Sequence, residues 1–177
     1  DKTGVALSGG GGGLFCDLDK VGPVELATMS FGQRFSISPL QLVTAVSAIT
    51  NDGMYVNPRI VKQVENTDTG TIETIETQKV RQVVSKETSE KVLSMMESVV
   101  SEGTGKNAFI EGYQIGGKTA TSQTLPRSAN KYISSFVGFA PADNPQVLAL
   151  VVIHNPKGIY YGGTIAAPVM AEMYANI

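Results

Sequence analysis

A chain of 177 residues, 42% hydrophobic and 17% charged, has the material for one folded core and excludes wholesale disorder. A formal net charge of −2, a pI near 5.4 and scattered Lys and Arg exclude a basic stripe for nucleic acid and a polybasic membrane patch. One cysteine, Cys16, and one histidine, His154, exclude an internal disulfide and argue against a protein-built zinc site, so no metal or other cofactor is expected.

The opening "DKTGVALSGG" lacks an initiator Met and reads as the middle of a longer protein, so an anchoring segment is expected upstream. Gly9–Gly13 reads as a flexible run inside an N-terminal segment, residues 1–25. "ISPLQLVTAVSAITNDG" is predicted to be a helix: Ser38 can cap it, Pro39 suits its first turn and Gly53 can end it. Leu42, Val43, Val46 and Ile49 form an apolar stripe at helical spacing. Short strand-like pieces follow, "YVNPRIVKQV", "TIETIET" and "KVRQVV", punctuated by "NTDTG".

A second helix is predicted over "SKETSEKVLSMMESVVSEG", capped by Ser85, with Glu87 and Glu90 near the positive end of its dipole. Val92, Leu93, Met96, Val99 and Val100 make its buried face, its methionines read as core filler, and Gly103 stops it. Three strands come next, "GGKTATSQ", "YISSFVGFAP" and "VLALVVIHNP"; the third, apolar on both faces, is predicted to be central. The short turn "PADNPQ" favours antiparallel pairing of the last two, and a closing helix near Ala167–Asn176 is predicted to cover one sheet face. The order of the elements predicts an α+β fold, with an antiparallel sheet covered on one face by the closing helix.

One stretch carries chemistry. "GYQIGGKT" satisfies G-x-x-x-x-G-K-[ST], the phosphate-loop pattern, with Gly112, Gly117, Lys118 and Thr119. A phosphate loop needs a helix to begin at the lysine, aiming its dipole at the phosphates. After Lys118 come Thr119, Ala120, Thr121, Ser122, Gln123, Thr124, Leu125 and Pro126, which favour a strand and forbid a helix of more than two turns. A nucleotide binder is therefore the distant alternative. On a strand, Lys118 and Thr119 project to opposite sides. Lysine with neighbouring hydroxyls can hold a carboxylate, and a strand edge can pair with an extended peptide. The residues alone leave this reading open beside that of a plain polar edge strand.

"GGKTATSQ" resembles the Lys-Thr-Gly strand of penicillin-binding proteins, whose motif set is S-x-x-K, S-x-N and K-T-G. "ELATMSFGQRFSISPLQLVTAVSAITNDG", "SEGTGKNA", "FVGFAPADNP" and "YYGGTIAAPVMAEMY" resemble further blocks of class B penicillin-binding proteins, in that order, and "DKTGVALSG" resembles the stretch before them. The likeness runs toward sporulation- and division-type transpeptidases of Gram-positive bacteria. It implies that residues 26–177 form the C-terminal half of a serine transpeptidase/β-lactamase-like domain, an α/β sandwich whose five-stranded antiparallel sheet is flanked by helices on both sides. It implies serine acyl transfer that cross-links peptidoglycan on the extracytoplasmic face of the membrane, with D-Ala-D-Ala stem peptides and β-lactams as partners and no nucleic acid. Carried over by position, Lys118 places protons and the substrate carboxylate, Thr119 and Thr121 offer hydroxyls to that carboxylate, and the backbone N–H of Thr121 is an oxyanion donor. Ala120 departs from the family's usual Gly, and its methyl is expected to shift the strand or a neighbouring helix.

No S-x-x-K or S-x-N precedes Lys118 in these residues. Ser128, Ala129, Asn130 and Lys131 match both patterns, but in the wrong order and in a loop, which reads as coincidence. The chain by itself is therefore expected to be inactive, lacking a nucleophile. A non-catalytic scaffold module of the same fold is the alternative. An uncovered sheet edge predicts self-association or poor stability. His154 reads as a strand-end residue with a structural hydrogen bond, Cys16 as an incidental thiol, and Tyr160–Gly163 as a tight turn with a secondary role at the substrate rim.

Overall fold

The computed structural model describes residues 12–15, 17–33 and 35–177; Cys16 and the Gly9–Gly11 part of the glycine run lie outside them. A short helix α1 (Pro23–Met29) opens the described chain and buries none of its residues. Helix α2 (Pro39–Ile49) starts as its sequence dictates: the Ser38 hydroxyl accepts from the Gln41 N–H at 3.2 Å, and the Gln41 side chain accepts from the Ser38 N–H at 2.8 Å. Its most buried residues are Thr44 and Ala48, while the predicted stripe of Leu42, Val43, Val46 and Ile49 is half-buried. Small side chains occupy the closest approach, and the larger ones flank it.

Asp52 and Gly53, both at positive φ, turn the chain into β1 (Met54–Val56). Gly53 is required there, since a Cβ would lie 2.1 Å from the Val84 carbonyl. β2 (Gln63–Glu65) and β3 (Ile72–Thr74) pair with each other, and β1 pairs with β4 (Lys79–Gln82), both antiparallel. Helix α3 (Lys86–Ser101) follows, its first turn closed by the Ser85 hydroxyl accepting from the Thr88 N–H at 3.1 Å. Fully buried Ser89 ties α3 to α2 by donating to the Ile49 carbonyl. Leu93 and Val100 are buried as predicted and Met96 is half-buried, but Met95 is 67% exposed and fills no core.

The principal sheet is antiparallel, in the order β5 (Gly116–Gln123), β6 (Tyr132–Ala140), β7 (Val147–His154). The predicted central position of residues 147–154 is not met among the described residues, where β6 is central and β7 has one partner. The apolar character of β7 comes from helices on its two faces. Ala149, Val151 and Ile153 pack with Met170 and Tyr174 of α5 (Ala167–Ala175), which follows a short α4 (Gly162–Ile165). On the other face Leu148 packs with Leu93 and Met96 of α3, and Leu150 and Val152 face Pro39 and Leu42 of α2. Thus α5 covers one face, α2 and α3 cover part of the other, and the α+β sandwich is as expected.

Strand β6 sends Phe136 into the α5 side and Phe139 into the α3 side, both 0% exposed. The Tyr174 hydroxyl donates to the Gly138 carbonyl at 2.6 Å, locking α5 to the central strand. Burial pushes the Tyr174 phenol up to about 12, partly offset by the backbone N–H of Ala149. A phenol raised in the folded state contributes stability that is present below 10.0 and lost as pH rises toward about 12. Denaturant titrations should therefore show stability falling across that window. Tyr174→Phe should lose about 1 kcal/mol at neutral pH through its missing hydrogen bond, yet fall less steeply in alkali.

The outer edges of β5 and β7 have no partner strand among the described residues, and Leu14, Leu26 and Phe31 are exposed. Unpaired strand edges and exposed apolar side chains each favour association. The 177-residue chain should show a mass that climbs with concentration in light scattering. A concentration-independent monomer would contradict this.

Candidate active site

Strand β5 builds the site. Its register against β6 sets Gly116 opposite Phe139, Lys118 opposite Val137 and Thr121 opposite Ser134. Alternation then places Lys118, Ala120 and Ser122 on the face shared with Phe139, and Thr119 and Thr121 on the face shared with Phe136. Lys118, Ala120 and Ser122 are exposed, because α2 and α3 leave that part of their face bare. Thr119 and Thr121 are half-buried beneath the turn that leads into α4.

The two glycines before Lys118 have a steric cause. A Cβ on Gly116 would lie 2.3 Å from the Phe139 ring, and one on Gly117 would lie 2.4 Å from the Phe136 ring. They admit aromatic rings, one on each face, and cradle no phosphate. No helix begins at Lys118, so the phosphate-loop reading fails.

The Lys118 ammonium donates to the Thr119 carbonyl at 2.7 Å, and among the described residues no carboxylate lies within ion-pair distance of it. The Thr119 hydroxyl lies 3.1 Å from that of Thr104, and the Thr121 hydroxyl accepts from the Gly162 N–H at 3.0 Å. The arrangement is a positive charge and two hydroxyls flanking one exposed strand edge from opposite sides. Its natural complement is an extended ligand with a carboxylate. The Ala120 side chain points to the bare face, and its carbonyl meets the turn that leads into α4.

Tyr160–Gly163 flanks β5 as a close-packed segment. A Cβ on Gly162 would lie 2.4 Å from both the Ala120 and Ser135 carbonyls, and one on Gly163 would lie 2.3 Å from the Thr104 carbonyl. Neither glycine has positive φ, so closeness to the sheet requires them, where a tight turn was expected. Tyr160 stacks on Tyr132 with ring centroids 3.9 Å apart, and Tyr161 leans on Tyr160 at 4.7 Å. A side-chain hydrogen bond with Tyr160 and the charge of that neighbour hold the Tyr161 phenol above its ordinary value.

Ser128, Asn130 and Lys131 are not brought to Lys118. They are exposed beyond the far end of β5, and from Lys118 to Gln123 the strand alone runs about 17 Å. His154 ends β7, the strand farthest from β5, and is not brought to Lys118 either. The residues that sequence reasoning passed over are Thr104, Asn107 and Ser134. Asn107 donates its side-chain amide to the Gly163 carbonyl at 2.8 Å, and Ser134 donates to the Tyr160 carbonyl. Their signal was faint: a Ser inside an apolar strand, and a Thr and an Asn in "EGTGKNA".

Among the described residues no helix is long and apolar enough to cross a membrane, and no cluster of His, Cys, Asp and Glu is disposed to hold a metal. Residues 1–175 match the family model described as the penicillin binding protein transpeptidase domain. The chain is 48% identical to stage V sporulation protein D of Bacillus subtilis, covering 97% of this chain and 27% of that protein. It is 33% identical to peptidoglycan D,D-transpeptidase FtsI of Escherichia coli, covering 99% of this chain and 29% of that protein. Among solved structures, apo penicillin-binding protein 3 of Mycobacterium tuberculosis superposes with a TM-score of 0.87 at 32% identity, covering 98% of this chain and 42% of that one. The same protein has been solved in complexes with aztreonam and with ampicillin. The chain thus spans between a quarter and a half of the length of these relatives. A family model matching nearly every residue, together with a Lys-Thr-x-Thr strand at a sheet edge, makes this chain a member of the penicillin-binding protein transpeptidase family.

Proposed function

We propose that residues 26–177 form the C-terminal part of the transpeptidase domain of a peptidoglycan D,D-transpeptidase, working on the extracytoplasmic face of the bacterial membrane. The observation that carries this reading is the outer edge of β5, which has no partner strand among the described residues and is flanked by an exposed ammonium and two hydroxyls. A stem peptide ending in D-Ala-D-Ala lies along that edge as an added strand. Its terminal carboxylate takes hydrogen bonds from the Thr119 and Thr121 hydroxyls and the charge of Lys118.

A serine supplied from outside residues 1–177 attacks the penultimate D-Ala carbonyl. The developing oxyanion takes a hydrogen bond from the Thr121 N–H, and the terminal D-Ala departs as the amine. An acceptor amine then attacks the ester and releases the serine. The serine proton passes to a base supplied, like the serine, from outside residues 1–177 and from there to the departing amine; the Lys118 ammonium, on the bare face, favours its release by its charge. β-Lactams present a carboxylate and a reactive carbonyl in like arrangement and acylate the same serine. The mycobacterial relative solved with aztreonam and ampicillin supports this for the present chain. Tyr160, stacked with Tyr132, and Tyr161 immediately precede Gly162, whose N–H meets Thr121, and offer a rim for the substrate.

Two measurements test the proposal. The isolated chain, incubated with a fluorescent penicillin, should show no covalent adduct by intact mass; an adduct on Ser128 or any other residue overturns the assignment of the nucleophile. In the complete protein, Lys118→Ala should slow acylation roughly 100-fold or more. An unchanged rate would remove Lys118 from the mechanism.

A further inference from the structure

The threonine hydroxyls that face the ligand are themselves held by groups far away in sequence. Thr121 accepts from the Gly162 N–H at 3.0 Å. A hydroxyl has one hydrogen to give and two lone pairs to receive with. With one lone pair taken by the N–H, its hydrogen remains available, and the incoming N–H polarises the O–H toward a stronger donor. The Gly162 contact therefore orients Thr121 as a donor, the role a carboxylate ligand requires.

The Gly162 N–H holds that position through its neighbours. On one side the Tyr160 carbonyl accepts from Ser134, a residue 0% exposed on the central strand. On the other, the Gly163 carbonyl accepts from the Asn107 amide at 2.8 Å. The missing side chains of Gly162 and Gly163 let the segment sit directly on Ala120, Ser135 and Thr104. Ser134 and Asn107 thus grip the segment on either side of the one N–H that touches Thr121.

We propose that Ser134 and Asn107 are positioning residues for carboxylate recognition: they hold the Tyr160–Gly163 segment so that the Gly162 N–H fixes the Thr121 hydroxyl as a donor to the ligand. This rests on the reading of Thr121 as a carboxylate contact. Neither residue touches the ligand, and neither is needed for proton transfer. Their effect is confined to the part of binding that depends on the carboxylate.

The test compares acylation of the complete protein by benzylpenicillin and by its methyl ester, which lacks the negative charge. The ratio of the two rate constants reports carboxylate recognition. Thr121→Val should lower that ratio by about 10-fold or more, as expected for a hydrogen bond to a charged group. Asn107→Ala, at an exposed position, and Ser134→Ala should each lower it by about 3- to 10-fold while changing the ester rate less than about 2-fold, and neither should lower it further in a Thr121→Val background. Asn107 keeps the test decisive if the buried Ser134→Ala variant fails to fold. Equal slowing of both ligands, or no change in the ratio, overturns the proposal. If Thr121→Val itself leaves the ratio unchanged, the reading of Thr121 fails first; if it lowers the ratio and Asn107→Ala does not, the positioning inference alone falls.

Discussion

The contact on which the rest depends is between two phenylalanines and two glycines. Phe136 and Phe139, on opposite faces of the central strand, reach over to Gly117 and Gly116 of β5, where any side chain would collide with their rings. Each ring anchors a different cluster: Phe136 packs with Val100, Met170 and Tyr174, and Phe139 with Leu93 and Ala142. One strand thereby organises both layers of the sandwich. Because a one-residue slip would swap the faces, the two rings also hold the register of β5. Lys118, the next residue, inherits its face from that register.

This makes the site a by-product of core packing. Once Gly117 lies under Phe136, Lys118 must point to the face that α2 and α3 leave bare, and Thr119 and Thr121 must point under the α4 turn. A cation approaches the edge from one side and hydroxyls from the other. The core supplies rigidity, and the outer edge of β5, which has no partner strand among the described residues, presents the backbone groups that the proposed extended ligand would meet. Such preorganisation is what electrostatic recognition of a developing charge requires.

The glycines of Tyr160–Gly163 extend the same logic. Their contacts to the Ala120, Ser135 and Thr104 carbonyls let a loop lie flat on a sheet and deliver a single N–H to Thr121. Ser134 and Asn107 complete that contact from positions that no local pattern links to it.

Much was legible in the sequence because it depends on neighbours in the chain. Ser38 and Ser85 cap their helices through residues three places on, and "GGKTATSQ" is a strand from end to end, as its threonines require. The family likeness rested on contiguous blocks and held for the same reason. What the sequence by itself determined was the order and type of the longer elements, α2, α3, β5, β6, β7 and α5, the two helix starts and the position of Lys118 on a strand, since all of these arise from local propensity and periodicity. Only the tertiary structure decided that β6 is the middle strand among the described residues, that Met95 faces solvent, that Gly116 and Gly117 exist to admit aromatic rings, and that Ser134 and Asn107 reach the segment above Thr121. Those outcomes depend on which surfaces meet in the fold, for Ser134 and Asn107 at separations of 26 and 56 positions along the chain, and no local period encodes such a meeting.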